Sequence, residues 1–187
     1  EWPVCSPLTG KLEKEYPLPF PSTLQTSNTK FIDNFDTETL GLEWNFRRVP
    51  NYNTYEINSK EGYLRLFSNP NHIKERSRSS LVGIRQKESQ FNFTAKMSFN
   101  PNSDQVQAGV SLFQKDDNFI TYTIEKEGEN YILKLVFKEK NKPPIIIKAD
   151  SIPSYDGSII FRVTSDNNVY KYLFSTNDGK KFNFFAE

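Results

Sequence analysis

The chain has 187 residues, with 24 Lys and Arg against 23 Asp and Glu, for a net charge of +1. So balanced a chain excludes the strong field that would gather nucleic acid or acidic lipid. No apolar run approaches the ~20 residues needed to span a bilayer, and a lone cysteine, Cys5, rules out an internal disulfide. Aromatics make up 14% of the chain, with 16 Phe and 9 Tyr, a bias toward pleated, half-buried surfaces.

Residues 1–30 differ from the rest. Pro3, Pro7, Pro17, Pro19 and Pro21 remove the donors that a helix or central strand needs, so this stretch reads as an extended linker or strap. Glu1-Trp2-Pro3-Val4 has neither a basic nor an apolar leader region, so the chain reads as one after leader removal or as an excised piece. From Phe31 onward, short apolar runs alternate with turn residues. Strands are expected at 31–35, 44–48, 54–57, 63–67 and 80–86.

The clearest strand is 91–99, where Phe91, Phe93, Ala95, Met97 and Phe99 alternate with polar residues, giving one face to a core. Val106, Ala108, Val110 and Leu112 form the apolar face of the next strand, and Gln107, Gly109 and Ser111 its outer face. Ile120, Tyr122 and Ile124 share an inward parity. Glu127-Gly128-Glu129-Asn130 turns the chain into a strand at 131–137. Further strands are expected at 145–148, 158–164, 169–175 and 181–185, separated by hairpin signals such as Asp156-Gly157 and Asn177-Asp178-Gly179. Many short strands at regular spacing, with no stretch of helical period, mean an all-β sandwich or barrel.

Catalytic chemistry is sparse. His72, the one histidine, lies in a loop composition, Asn69-Pro70-Asn71-His72, and no nucleophile elbow accompanies it. One His and one Cys do not make a zinc site. A sandwich-fold glucanase needs acidic residues on one face of one strand, flanking a glycosidic bond. Glu125 and Glu127 share a face but sit beside a turn. Asp33 and Asp36 are three apart, so alternation sends them to opposite faces. The carboxylates at Asp116-Asp117-Asn118 and at Asp33/Asp36 are hard-oxygen candidates for a structural calcium, or simply solvated turns; no other cofactor is expected.

Parity also frames a ligand face. In 80–86, Val82, Ile84 and Gln86 claim the core side and leave Leu81, Gly83 and Arg85 outside. Gly83 and Gly109 would leave room above the sheet. A shallow patch is therefore expected around Arg85, Gln107 and Ser111, with Arg47 or Trp44 at its margin. Such groups can hydrogen-bond sugar hydroxyls; surface arginines that keep a sheet edge soluble are the alternative reading.

Five segments carry a resemblance. Phe31-Ile32-Asp33-Asn34-Phe35 and Leu40-Gly41-Leu42-Glu43-Trp44-Asn45-Phe46-Arg47-Arg48-Val49-Pro50 come first. Gly62-Tyr63-Leu64-Arg65-Leu66, Ser80-Leu81-Val82-Gly83-Ile84-Arg85-Gln86 and Gln107-Ala108-Gly109-Val110 follow in order. Together they resemble the C-terminal concanavalin A-like sandwich of glycoside hydrolase family 43, the β-xylosidases and α-L-arabinofuranosidases, with Ile84 where the family has an arginine. Beyond residue 125 the likeness rests on strand pattern alone. Glu1-Trp2-Pro3-Val4 is similar to the last strand of that family's five-bladed propeller.

The resemblance implies an antiparallel, two-sheet jelly-roll sandwich at 31–187, joined through 1–30 to a catalytic propeller that carries the family's three carboxylates. None of these transfers to a residue of this chain. It implies a plant polysaccharide or oligosaccharide as substrate of the parent enzyme, and a periplasmic or secreted location. The family's rim loop lies near the sandwich's C-terminus, and the chain stops at Phe184-Phe185-Ala186-Glu187, so the loop and the last strands are expected to be missing. The function implied is an accessory sandwich that braces the propeller and shapes its cleft. A free-standing carbohydrate-binding module and a purely structural interaction domain are the alternatives.

Overall fold

Alternation of apolar and polar residues along 91–98 leaves every second side chain half-buried, and the chain there is a regular strand. The computed structural model describes residues 10–11, 30–50, 53–167 and 169–187. Two compact units divide at Asn34/Phe35. In the first, the described residues hold no strand, and most of the proline-rich stretch lies outside the described residues.

The second unit has twelve described strands and no described helix. Four are short: β1 (Asn45–Phe46), β2 (Tyr55–Ile57), β3 (Leu64–Leu66) and β4 (Val82–Gly83). Eight are longer: β5 (Phe91–Ser98), β6 (Gln107–Lys115), β7 (Asn118–Glu127), β8 (Asn130–Lys138), β9 (Ile145–Ser151), β10 (Ser158–Asp166), β11 (Val169–Ser175) and β12 (Asn183–Ala186). One four-stranded sheet runs β12-β11-β10-β5, and a second runs β6-β7-β8-β9. The short strands pair as β1-β4 and β2-β3, and every pairing is antiparallel.

The sandwich core is where the two large sheets face each other. Tyr122, Ile124, Leu133 and Leu135 come from one sheet, and Ile159, Phe161, Val163, Tyr172 and Phe185 from the other. Tyr122 points inward with Ile120 and Ile124, as its parity requires. The turn Gly128-Glu129 joins β7 to β8 with Gly128 at φ 60°, so glycine supplies the left-handed first position of a two-residue hairpin loop. At the sheet edges, β12 buries Phe185 and Ala186, whereas β9 leaves Ile145, Ile146 and Ile147 more than half exposed.

The early strands are shorter than the sequence predicts. The run 31–35 forms no ladder, and Phe35 at φ 54° leaves the extended region altogether. The expected strand 80–86 shrinks to two residues. Leu81 N–H turns back to Ser79 O at 2.8 Å, Ser80 Oγ donates to Phe67 O, and Gln86 Nε2 reaches Glu88 O. Local side-chain and turn bonds there take the groups that a ladder would have used.

The two glycines grouped in the sequence reading differ in the fold. At Gly83 a Cβ would meet nothing within 4 Å, but at Gly109 it would lie 2.2 Å from Tyr122 O and 2.7 Å from Thr123 Cα. Gly109 lets the β6 and β7 backbones approach. Gly109→Ala is therefore expected to cost about 2 kcal/mol and to lower the melting temperature by roughly 4–8 °C, while Gly83→Ala leaves it unchanged. Equal melting temperatures for the two variants would overturn the close approach.

Candidate functional site on the outer sheet face

The face of β6-β7-β8-β9 turned away from the core is set by register. Gln107 lies opposite Glu125, Gly109 opposite Thr123, Ser111 opposite Thr121 and Phe113 opposite Phe119. On β8, Ile132, Lys134 and Val136 continue these rows. Thr123 Oγ1 donates to Gln107 Oε1 at 3.2 Å, and Ser111 Oγ donates to Ile120 O at 2.8 Å. Lys134 Nζ sits 2.9 Å from Glu125 and 2.6 Å from Glu127. Its hydrogen bond to Glu127, and then that to Glu125, hold the ammonium above its ordinary pKa against the opposing effect of burial. Lys134 thus occupies the space between the two carboxylates that share this face. A glycosidic oxygen would need that space if the pair were an acid and a nucleophile.

Of the five candidate ligand residues, Gln107 and Ser111 are brought together on this face, and Arg47 reaches its far end. Arg47 is not a free donor there. Its side chain is 8% exposed, its Nη2 lies 2.6 Å from Asp116 Oδ1, and its Nη1 donates to Ile73 O. The guanidinium also stands over the Phe113 ring, 5.3 Å from the centroid. Trp44 packs its ring against Phe35 at 5.5 Å. Register places Trp44 one residue before the Asn45–Gly83 pair of the β1-β4 ladder. Arg85 lies two residues past β4, exposed, with no hydrogen bond or ion pair to a described residue.

The segment after β3 covers the Phe113 end of the face. The His72 ring is 6.4 Å from Phe119, which is only 4% exposed although it points away from the core. His72 Nδ1 accepts from the Lys74 N–H. Partial burial and then the Lys74 charge push His72 below its usual pKa, with Glu75 opposing, so the ring is neutral at neutral pH and serves as cover. Asp116, a candidate calcium ligand, is held between Arg47 and Arg76, and Asp117 lies 3.5 Å from Lys115. Among the described residues no group of three or more His, Cys, Asp or Glu gathers, and no helix is long and apolar enough to cross a membrane.

Sequence reasoning missed Thr123 and Lys134. Both follow once the two-residue turn at Gly128 fixes the β7–β8 register, because Lys134 then falls opposite Thr123.

Two antiparallel four-stranded sheets packed on one aromatic core, with a hydrogen-bonded polar outer face, define a two-sheet β-sandwich domain. The chain belongs to the family of the beta xylosidase C-terminal concanavalin A-like domain, whose model matches residues 32–187. It is 30% identical over 141 residues to a xylosidase/arabinosidase of Butyrivibrio fibrisolvens, covering 73% of this chain and 26% of that protein. It is 27% identical over 141 residues to a non-reducing end alpha-L-arabinofuranosidase of Bacteroides ovatus, covering 75% and 26%. The fold is shared with a solved xylan beta-1,4-xylosidase from Bacillus halodurans C-125, with a TM-score of 0.76 at 17% identity, over 89% of this chain and 33% of that one. The chain therefore spans about a quarter of the length of the curated relatives it matches.

Proposed function

We propose that this chain is the accessory sandwich of a xylan- or arabinan-degrading glycosidase, exported to the periplasm or secreted. In this reading it braces a catalytic five-bladed propeller of the same protein and shapes its substrate cleft. The family match over 32–187 carries the reading, with the chain's share of about a quarter of its xylosidase and arabinofuranosidase relatives. The outer sheet face supports it. The same-face pair Glu125/Glu127 is committed to Lys134, whereas Gln107 keeps its amide N–H groups and exposed Arg85 its guanidinium for a docked surface or a sugar. Hydrolysis belongs to the propeller.

The chain by itself is expected to leave 4-nitrophenyl xyloside and arabinofuranoside uncleaved, and to raise the thermal midpoint of a family propeller when fused behind it. Turnover by the chain that disappears on Glu125→Gln would overturn the reading. So would a fused propeller no more stable than the propeller alone.

A further inference from the structure

We propose that the cleft between the β2-β3 ladder and residues 68–78 is a binding site for a neutral saccharide. The cleft has a volume of about 370 Å³, and its walls include Asn53, Phe67, Ser68, Asn69, Asn71 and Arg78. That volume lies at the small end of ligand sites, roughly 300–1,000 Å³, and suits one or two sugar rings. Three of these side chains are primary amides and one is a hydroxyl. Each offers both a donor and an acceptor, as a sugar hydroxyl does. Phe67, half-buried, supplies the apolar surface on which the C–H face of a pyranose or furanose ring rests. Among the described residues no carboxylate lines the cleft, and the site is proposed for binding alone.

The walls are held in place before any ligand arrives. Asn69 Nδ2 donates to Ser80 Oγ at 2.8 Å, Asn71 N–H donates to Asn69 Oδ1 at 2.9 Å, and Asn71 Nδ2 donates to Arg78 O at 2.9 Å. Ser80 Oγ closes the set on Phe67 O, and Phe67 N–H bonds Thr54 O at 3.0 Å. These bonds cross-link the loop to the end of the β2-β3 ladder, which lowers the ordering cost of binding. They leave the Asn71 Oδ1, the Asn53 amide and the Ser68 hydroxyl without a partner among the described residues. These three groups are uncharged and mixed in hydrogen-bonding sense, and they line the cleft together with the Arg78 guanidinium.

The amides and hydroxyls of the cleft ask for a polyol, with Arg78 as a further donor in its wall; the choice of neutral pentosides as first probes rests on the function proposed above. The test is a titration of the ¹⁵N-labelled chain with xylobiose, arabinobiose and cellobiose, followed by amide shifts. Shifts confined to residues 53–54 and 67–71 are expected with a pentoside. Asn53→Ala, which removes no hydrogen bond to a described residue, should fold as the parent and bind about tenfold more weakly. Absence of shifts with all three sugars overturns the inference and leaves the accessory-domain reading intact, because that reading depends on the propeller. Shifts centred on Gln107 and Thr123 instead also overturn it. Binding of cellobiose alone at the cleft upholds the site and counts against the pentose class.

Discussion

Tyr122→Ala is expected to cost about 4 kcal/mol, lowering the melting temperature by roughly 8–16 °C, whereas Tyr122→Phe is expected to cost nothing. The ring is the centre of the core. Its centroid lies 4.9 Å from Phe161, 5.3 Å from Phe185 and 5.5 Å from Tyr172, so it ties both sheets together. Truncation leaves a cavity that three other rings cannot all fill. The hydroxyl is another matter: it is buried and finds no hydrogen-bond partner among the described residues. An unsatisfied buried hydroxyl costs about 1–3 kcal/mol, so removing the oxygen while keeping the ring is neutral or stabilising.

Ionisation adds a pH signature. Burial pushes the Tyr122 phenol far above its usual pKa. The unfolded chain releases this proton above about pH 10, while the folded chain keeps it, so this contribution is complete below that pH and is lost as pH rises beyond it. Urea unfolding of the parent and both variants at pH 7 and pH 10.5 checks this. The Tyr122→Phe variant should gain on the parent at the higher pH. A loss of more than about 1 kcal/mol in that variant at pH 7 would mean the hydroxyl has a partner.

The inward placement of Tyr122 was legible from parity alone, as was most of the sandwich after residue 90. There the chain follows period two between strong turn residues, and the predicted 169–175 and observed Val169–Ser175 coincide. Before residue 90 the same reading overestimates strand length. Asn69, Asn71 and Ser80 bond to nearby backbone or to one another, which apolar periodicity does not register. The outer-face neighbours Gln107 and Ser111 were legible because one strand holds both. The ion pair of Arg47 was not, since its carboxylate lies 69 residues away and depends on how the segment after β3 folds over the sheet. Glu125 and Glu127 were legible as a same-face pair, but the lysine between them needed the hairpin register.

Arg47→Ala is expected to cost about 3 kcal/mol, and Arg76→Ala less than about 0.5 kcal/mol, although both arginines contact Asp116. The difference lies in burial. The Arg47 side chain is 8% exposed and its fork serves two acceptors, Asp116 Oδ1 and Ile73 O, while Arg76 is 86% exposed on the same carboxylate. Losing Arg47 leaves a partly buried carboxylate with only a solvated partner, opens the space over Phe113, and frees the segment that covers Phe119. Arg47→Lys should recover little, because an ammonium lacks the planar fork. Asp116→Asn in the Arg47→Ala background should restore about 1 kcal/mol by removing the undercompensated charge. Hydrogen exchange localises the effect. The Lys74 N–H bonds His72 Nδ1 at 3.2 Å and the Glu75 N–H bonds His72 O at 3.0 Å, so these two amides should lose protection in Arg47→Ala and keep it in Arg76→Ala. If the two single variants melt together, Arg47 is a surface arginine after all and remains available to a ligand.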